Sequence, residues 1–243
     1  MDDELDPMEI LEPLLKLGWK IREDGWFIAP SSMPDINKPF ISANLQEHGY
    51  RCSWERDTLF THIYKGSAVP IRCHRCYKVV LAPTSLADVL AIEAYQAAGE
   101  HPAKVGMEIR PTVKRVWGAY WYTNSVEEGL ERYREVKEWA RGGLSDPFTL
   151  ILKHGCTEFE QTLGPSDRWK IEPWQHKFEE MISEHVVPLE PTSPQPENVK
   201  AHIRKQWKKW DQLMRPVVTY HEQRVTREME RRLRQMGKGK DEK

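Results

Sequence analysis

Apolar side chains recur along this chain with two periods, and each change from one to the other marks an element. From residue 76 the run CYKVVLAP, rich in β-branched and aromatic residues and ending at a proline, reads as a strand. TSLADVLAIEAYQAAGE then sets Leu86, Val89, Leu90, Ala94 and Ala97 on one helical face, with Ser85 and Asp88 as the cap and Gly99 as the stop. Two strands follow, AKVGMEIR and RVWGAYWYT, joined by a tight connection over 111–114. A second helix over 124–141 opens on a capping box of Ser125 and Glu128. It is expected to bury Val126, Leu130, Tyr133, Val136 and Ala140 and to stop at Gly142 and Gly143. FTLILKH closes the series as a strand.

Strand, helix, strand, strand, helix, strand is the order of the split βαβ unit. The pattern therefore predicts an α+β protein with a ferredoxin-like βαββαβ core, four antiparallel strands carrying both helices on one face. The first and fourth strands are expected side by side at the centre of the sheet and running in opposite directions. Whatever precedes the first strand then lies beside whatever follows the fourth.

The flanks are less regular. Residues 7–17 have helical spacing interrupted by Pro13, and WKIREDGWFIAP reads as a hairpin turning at Asp24 and Gly25. Residues 30–40 read as loop, and 41–70 are ambiguous, with a candidate helix near SANLQEHG and a candidate strand near LFTHIYKG. Further on, 174–186 is helical, and VPLEPTSPQPEN holds four prolines in twelve residues and reads as a linker. The tail over 197–236 is helical with a break at Pro216. Val199, Ile203, Trp207, Trp210 and Met214 stripe its first piece, and Val218, Val225, Met229 and Met236 its second. This divides the chain into an N-terminal α/β extension (1–70) packing on the core, the core (71–172), a helix (173–187), a linker (188–198) and a basic helical tail (199–243).

Charge sharpens that division. The net charge of -1 conceals a surplus of basic residues at the end, 14 Lys and Arg against 7 Asp and Glu over 197–243, and a deficit before it, 22 against 30. Such a tail suits a protein partner, a second copy of the chain or phosphates, although charged helices also serve simply as solvated faces. No apolar run approaches the roughly 18 residues of a membrane helix. The acidic start MDDELDPMEILEPLL lacks the basic flank of a secretory signal, so a soluble, cytoplasmic protein without a membrane partner is expected.

Four cysteines are too few for a disulfide framework, and two of them form a CxxC. Cys73 and Cys76 come just before the first core strand and Cys156 just after the fourth, so the expected topology gathers three thiols eighty residues apart in sequence. Three such thiols make most of a tetrahedral metal site. Cys52 is a possible fourth ligand, with His154 and His74 as alternatives, or the fourth position stays open, and the cofactor is either Zn2+ or an iron–sulfur cluster. Without a metal, the same residues are ordinary reduced thiols. The set of Cys156, Glu158 and the CxxC is similar to that of zinc deaminases, where the Glu moves protons, but its order along the chain is reversed. Glu158 is the candidate catalytic residue under this metalloenzyme reading.

Strand alternation assigns Tyr77, Val79, Leu81, Val105, Met107, Ile109, Phe148, Leu150 and Leu152 to the helix side. The other side receives Lys78, Arg110, Thr149 and Lys153, with either Tyr120 and Tyr122 or Trp117 and Trp121. Lysines and arginine beside aromatics suit a single-stranded nucleic acid, whose bases stack while its phosphates meet the cations. Arg115, Trp117, Gly118 and Tyr122 also fit the third-strand pattern of RNA-recognition motifs, whereas Val116 stands where that family has Gly and Ala119 where it has Phe. Over 76–154 the chain resembles that family at the level of fold, and the resemblance implies RNA or single-stranded DNA bound on the sheet. If the first 70 residues or the tail cover that face, the aromatics are packing instead.

Phosphate-loop, dinucleotide, HExxH and GxSxG motifs are absent. The leading reading is a metal-stabilised protein that binds nucleic acid or a nucleoprotein through Lys78, Arg110, Tyr120, Tyr122, Lys153 and the tail. Its alternatives are a metal-dependent enzyme with an open coordination position and a structural or assembly subunit that self-associates or binds a protein through its C-terminal helices.

Overall fold

The side chain of Asp6 accepts a hydrogen bond from the Met8 N–H and caps helix α1 (Pro7–Leu15), which continues through Pro13. Strands β1 (Lys20–Ile21) and β2 (Phe27–Ile28) form the expected hairpin, with Gly25 at φ 86° in its turn. β3 (Phe40–Ala43) and helix α2 (Ser53–Ile63) complete the N-terminal part. Then follow β4 (Tyr77–Ala82), α3 (Leu86–Ala98), β5 (Ala103–Met107), β6 (Trp117–Thr123), α4 (Val126–Gly143), β7 (Thr149–His154), α5 (Thr157–Leu163) and α6 (Pro173–Ser183). A last helix, α7, covers residues 197–213. This computed structural model describes residues 6–29, 39–45, 52–108, 115–145, 147–186 and 194–213. The expected connection over 111–114, Ile109 and Arg110, most of the proline-rich linker and the tail beyond 213 lie outside the described residues.

The architecture is mixed α+β, with a five-stranded antiparallel sheet in the order β3-β5-β6-β4-β7 beside the two-stranded β1-β2. β4 pairs with β7 through Tyr77↔His154 to Ala82↔Thr149, and with β6 on its other side. The first and fourth core strands are thus antiparallel neighbours. β7, however, is an edge strand and not central, because β6 occupies the place beside β4 in the middle of the sheet. β3 extends the opposite edge by pairing with β5.

Two expectations in the N-terminal part are corrected. Residues 40–43, which overlap the start of the candidate helix at SANLQEHG, form a strand, and residues 46–51, which include the rest of that run, lie outside the described residues. The run around Leu59 is helical, not extended. α2 is wound with i to i+5 bonding, as in Tyr64 N–H to Leu59 C=O at 2.7 Å. That winding brings Trp54, Leu59 and Tyr64, five residues apart, onto the same apolar cluster with Leu11, Leu14, Trp19, Phe27 and Ile182. A spacing of five fits neither the strand period nor the ordinary helix period, which hides the element from pattern reading.

The main core lies under α3, α4 and α7. Val79, Leu81, Val105, Trp117, Ala119 and Trp121 from the sheet meet Leu86, Val89, Ile92, Val136 and Ala140 from the helices, and Val199, Ile203 and Trp207 from α7 join them. The expected faces of α3 and α4 hold at Leu86, Val89, Val136 and Ala140 and depart from expectation elsewhere. Ala94 and Ala97 are exposed, and Val126 and Leu130 are 37% and 42% exposed, while Gln96, Gly129 and Arg132 are buried. Gly129 explains the turn of α4. A Cβ there would sit 2.9 Å from Leu152 Cδ1 and 3.3 Å from Tyr77 Cβ, so α4 approaches the sheet along its glycine. Glu93 is buried on α3 because Arg204 of α7 forks onto both its carboxylate oxygens, from Nε at 2.9 and 3.0 Å.

Candidate functional site

On the face of the sheet away from α3 and α4, one end carries all four cysteines. Cys73 lies in the short helical turn Ile71–Arg75, and the Cys76 N–H donates to the Cys73 carbonyl at 3.2 Å, which holds the CxxC in a tight loop. The Tyr77↔His154 register places Cys76 opposite Gly155, and the Gly155 N–H donates to the Cys76 carbonyl at 2.8 Å. Gly155 has φ 60°, and a Cβ on it would stand 2.6 Å from the Trp169 ring. Only glycine turns the chain here, and the turn delivers Cys156 to the N-cap of α5, across from the CxxC. Cys52 enters from the start of α2. All four cysteines are free of disulfides.

The walls of this site are mostly apolar. Cys73 and Cys156 are buried with Phe60, Val69 and Phe159, and Leu163 and Trp169 pack alongside, while Cys76 adjoins Val80, Tyr120 and Tyr122. Tyr77 and His154 stack with ring centroids 4.6 Å apart, and His154 Nε2 donates to the His74 carbonyl at 2.9 Å, joining the CxxC loop to the end of β7. Lys78 Nζ donates to Cys156 Sγ at 2.9 Å. Lys78 lies two residues beyond Cys76 on the same strand face, so this contact was legible from alternation; Arg56 and Trp169 carried no comparable signal.

Electrostatics tie the four sulfurs into one unit. Burial pushes the Cys73 thiol well above its ordinary value, and Glu55, Cys156, Cys76 and Cys52 push it the same way. Burial also raises Cys76 to about 12, opposed by Lys78 and reinforced by Cys156 and Cys52. Cys52 is raised by burial, with Lys78 opposing and Cys156 adding. Burial works against the charge of Lys78, but Cys156 foremost, then Tyr122, Cys76 and Cys52, outweigh it and keep the ammonium protonated. Arg56 is likewise kept charged against burial by Asp57, Cys156 and Glu158.

The thiols of Cys73, Cys76 and Cys156, expected together from the strand order, lie at one end of the sheet, and Cys52 enters from the start of α2. Among the described residues, however, no group of three or more His, Cys, Asp or Glu side chains is placed so that it could hold a metal ion. Glu158 sits in the first turn of α5, with Arg56 Nη1 3.9 Å from its carboxylate.

On the expected nucleic-acid face the two tyrosines are enclosed. Tyr120 and Tyr122 are 8% and 6% exposed, and they rather than the tryptophans occupy this side of β6. The Tyr120 hydroxyl donates to Glu108 at 2.8 Å, Phe40 meets its ring edge-on, and Lys104 lies over Phe40, Tyr120 and Tyr122. Neither tyrosine offers a ring on which a base can stack. Lys78 is turned to Cys156, and Lys153 is paired with Glu160. Arg110 lies outside the described residues.

Comparison of the chain with protein-family models, with curated proteins and with solved structures gives no match. No helix among the described residues is long and apolar enough to cross a membrane.

Proposed function

We propose that this is a thiolate metal protein built on a ferredoxin-like βαββαβ core, with Cys52, Cys73, Cys76 and Cys156 as the ligands. The carrying observation is the gathering of all four cysteines of the chain, from three separate segments, around the buried end of β4 and β7. The strand order β7-β4-β6-β5 and the helices α3 and α4 on one face support the core assignment. Charge supports the ligand assignment. Lys78, which donates to Cys156 Sγ, and Arg56 stand beside the sulfurs, where they would balance the negative charge of thiolates bound to a metal.

The metal would join α2, the CxxC loop and the β7–α5 corner, and binding would displace thiol protons that burial and mutual repulsion otherwise retain. Nucleic acid is a weaker reading, because Tyr120 and Tyr122 are enclosed. The test is elemental analysis of anaerobically purified protein beside its Cys73→Ser and Cys156→Ser variants. The expected result is a stoichiometric transition metal that falls equally in both variants. Loss in Cys73→Ser alone would remove Cys156 from the site, and a metal-free, folded wild type would remove the site altogether.

A further inference from the structure

On the helix side of the sheet, opposite the thiols, the end of α3 and the middle of α4 enclose a cavity of about 160 Å³. A void of roughly 150 Å³ is enough to hold one benzene ring, so this one takes a single six-membered ring. Its lining runs from exposed Ala98 and Gly99 to Gln96, Trp121 and Arg132, which are 3%, 2% and 7% exposed. Most polar groups around it are engaged. The Tyr95 hydroxyl donates to Glu135 Oε1 at 3.1 Å, and Arg132 Nη1 donates to the other oxygen of the same carboxylate. Arg132 Nη2 donates to His101 Nδ1 at 2.8 Å, and a guanidinium has only donors, so that ring nitrogen is the acceptor. Gln96 Nε2 donates to the carbonyls of Lys104 and Tyr120 at 3.3 and 3.4 Å, which fixes the amide with its oxygen at the other end.

Two atoms are left over. Among the described residues, Gln96 Oε1 and Arg132 Nε are buried without a hydrogen-bond partner. One is an acceptor and the other a donor, and both belong to side chains that line this cavity. Buried polar atoms in folded proteins are nearly always satisfied, so the pair marks a place for a group with the converse pair, an N–H for Gln96 and a C=O for Arg132. Glu135 already balances the charge of Arg132, so that group is uncharged.

We infer that this cavity binds a small uncharged cyclic amide, a flat six-membered ring whose N–H adjoins its C=O. The N–H donates to Gln96 Oε1, the carbonyl accepts from Arg132 Nε–H, and Tyr95 and Trp121 supply aromatic walls. A carboxylate would meet the anionic Glu135, and a purely apolar ring would leave both polar atoms unsatisfied. The site is independent of the thiols and stands or falls without them.

The full chain is titrated calorimetrically with uracil and 2-pyridone, which carry N–H and C=O side by side, and with 1,3-dimethyluracil and N-methyl-2-pyridone, which lack the N–H. Saturable binding of at least one parent ring at a single site per chain is expected, weakened about tenfold or more by methylation because Gln96 is then left unpaired. Gln96→Met, similar in size but without the amide, should weaken binding to the same degree. Because Gln96 also bonds to the sheet, Ala98→Trp is the second variant: Ala98 is exposed where the cavity begins, so the indole should block the ring while circular dichroism matches wild type. No saturable binding of either parent ring overturns the inference, as does equal binding of the methylated rings. Binding that survives unchanged in Ala98→Trp would put the ring elsewhere and overturn it too.

Discussion

Gly155 is the residue on which the site turns. It is the link between β7 and Cys156, its N–H closes the pairing to Cys76, and its positive φ and the Trp169 ring leave no room for a side chain. Gly155→Ala should destabilise the protein by roughly 1–3 kcal/mol, as overpacked positions do, and should lower metal content beyond what the unfolded fraction explains. Urea denaturation with metal analysis of the folded fraction separates the two effects. Gly25, which also has positive φ but has nothing near its Cβ position, should show no loss of metal when replaced by Ala. Lys78 tests the electrostatics. Lys78→Met removes the cation that donates to Cys156 and should lower the metal retained by the folded protein, read by elemental analysis after dialysis. Lys78→Arg should restore part of the retained metal.

At the scale of elements, α7 is a C-terminal helix that belongs to the core. Trp207 is fully buried against Trp117, its indole N–H donates to the Pro39 carbonyl at 2.9 Å, and Arg204 anchors the same helix to Glu93. Trp207→Ala should cost about 3–5 kcal/mol in equilibrium unfolding, the range for a large aromatic removed from a packed site. Gln195 just before α7 adds a second tether. Its side-chain amide accepts from the Ser42 N–H at 3.1 Å and donates to the Phe40 carbonyl at 3.2 Å, standing in for a strand on the open edge of β3. Gln195→Ala should expose that edge and increase concentration-dependent association, measured by light scattering. The caps of α3 and α4 were readable in advance. Ser85 accepts from the Asp88 N–H and Ser125 from the Glu128 N–H, because a hydroxyl three residues before a free N–H satisfies it locally whatever the rest of the chain does.

For the whole molecule, the N-terminal segment and the sheet are joined at the thiol site. α2 contributes Cys52 and Arg56 there and Leu59 and Tyr64 to the separate cluster with α1 and α6. If the thiols bind a metal as proposed, a chelator under reducing conditions should lower Tm, since a group that binds only the folded state stabilises it by mass action. Hydrogen exchange should then rise in 52–63 and 156–163 and stay unchanged in α3, whose core does not reach the site. Uniform loss of protection would mean that the metal supports the entire fold.

Local chemistry alone determined the capped helices, the hairpin at Gly25 and the order of the central elements, because caps, turns and period-two runs are written within a few residues. Tertiary structure alone decided that Gln96, Gly129 and Arg132 are buried while Ala94, Ala97, Val126 and Leu130 are not, since α4 meets the sheet along Gly129 and Arg204 pairs with Glu93. It also decided that Tyr120 and Tyr122 are enclosed, that β7 lies at the edge, and that α2 winds with five-residue spacing. Each of these depends on segments remote in sequence competing for the same surface, and burial is a property of that competition rather than of any residue taken singly.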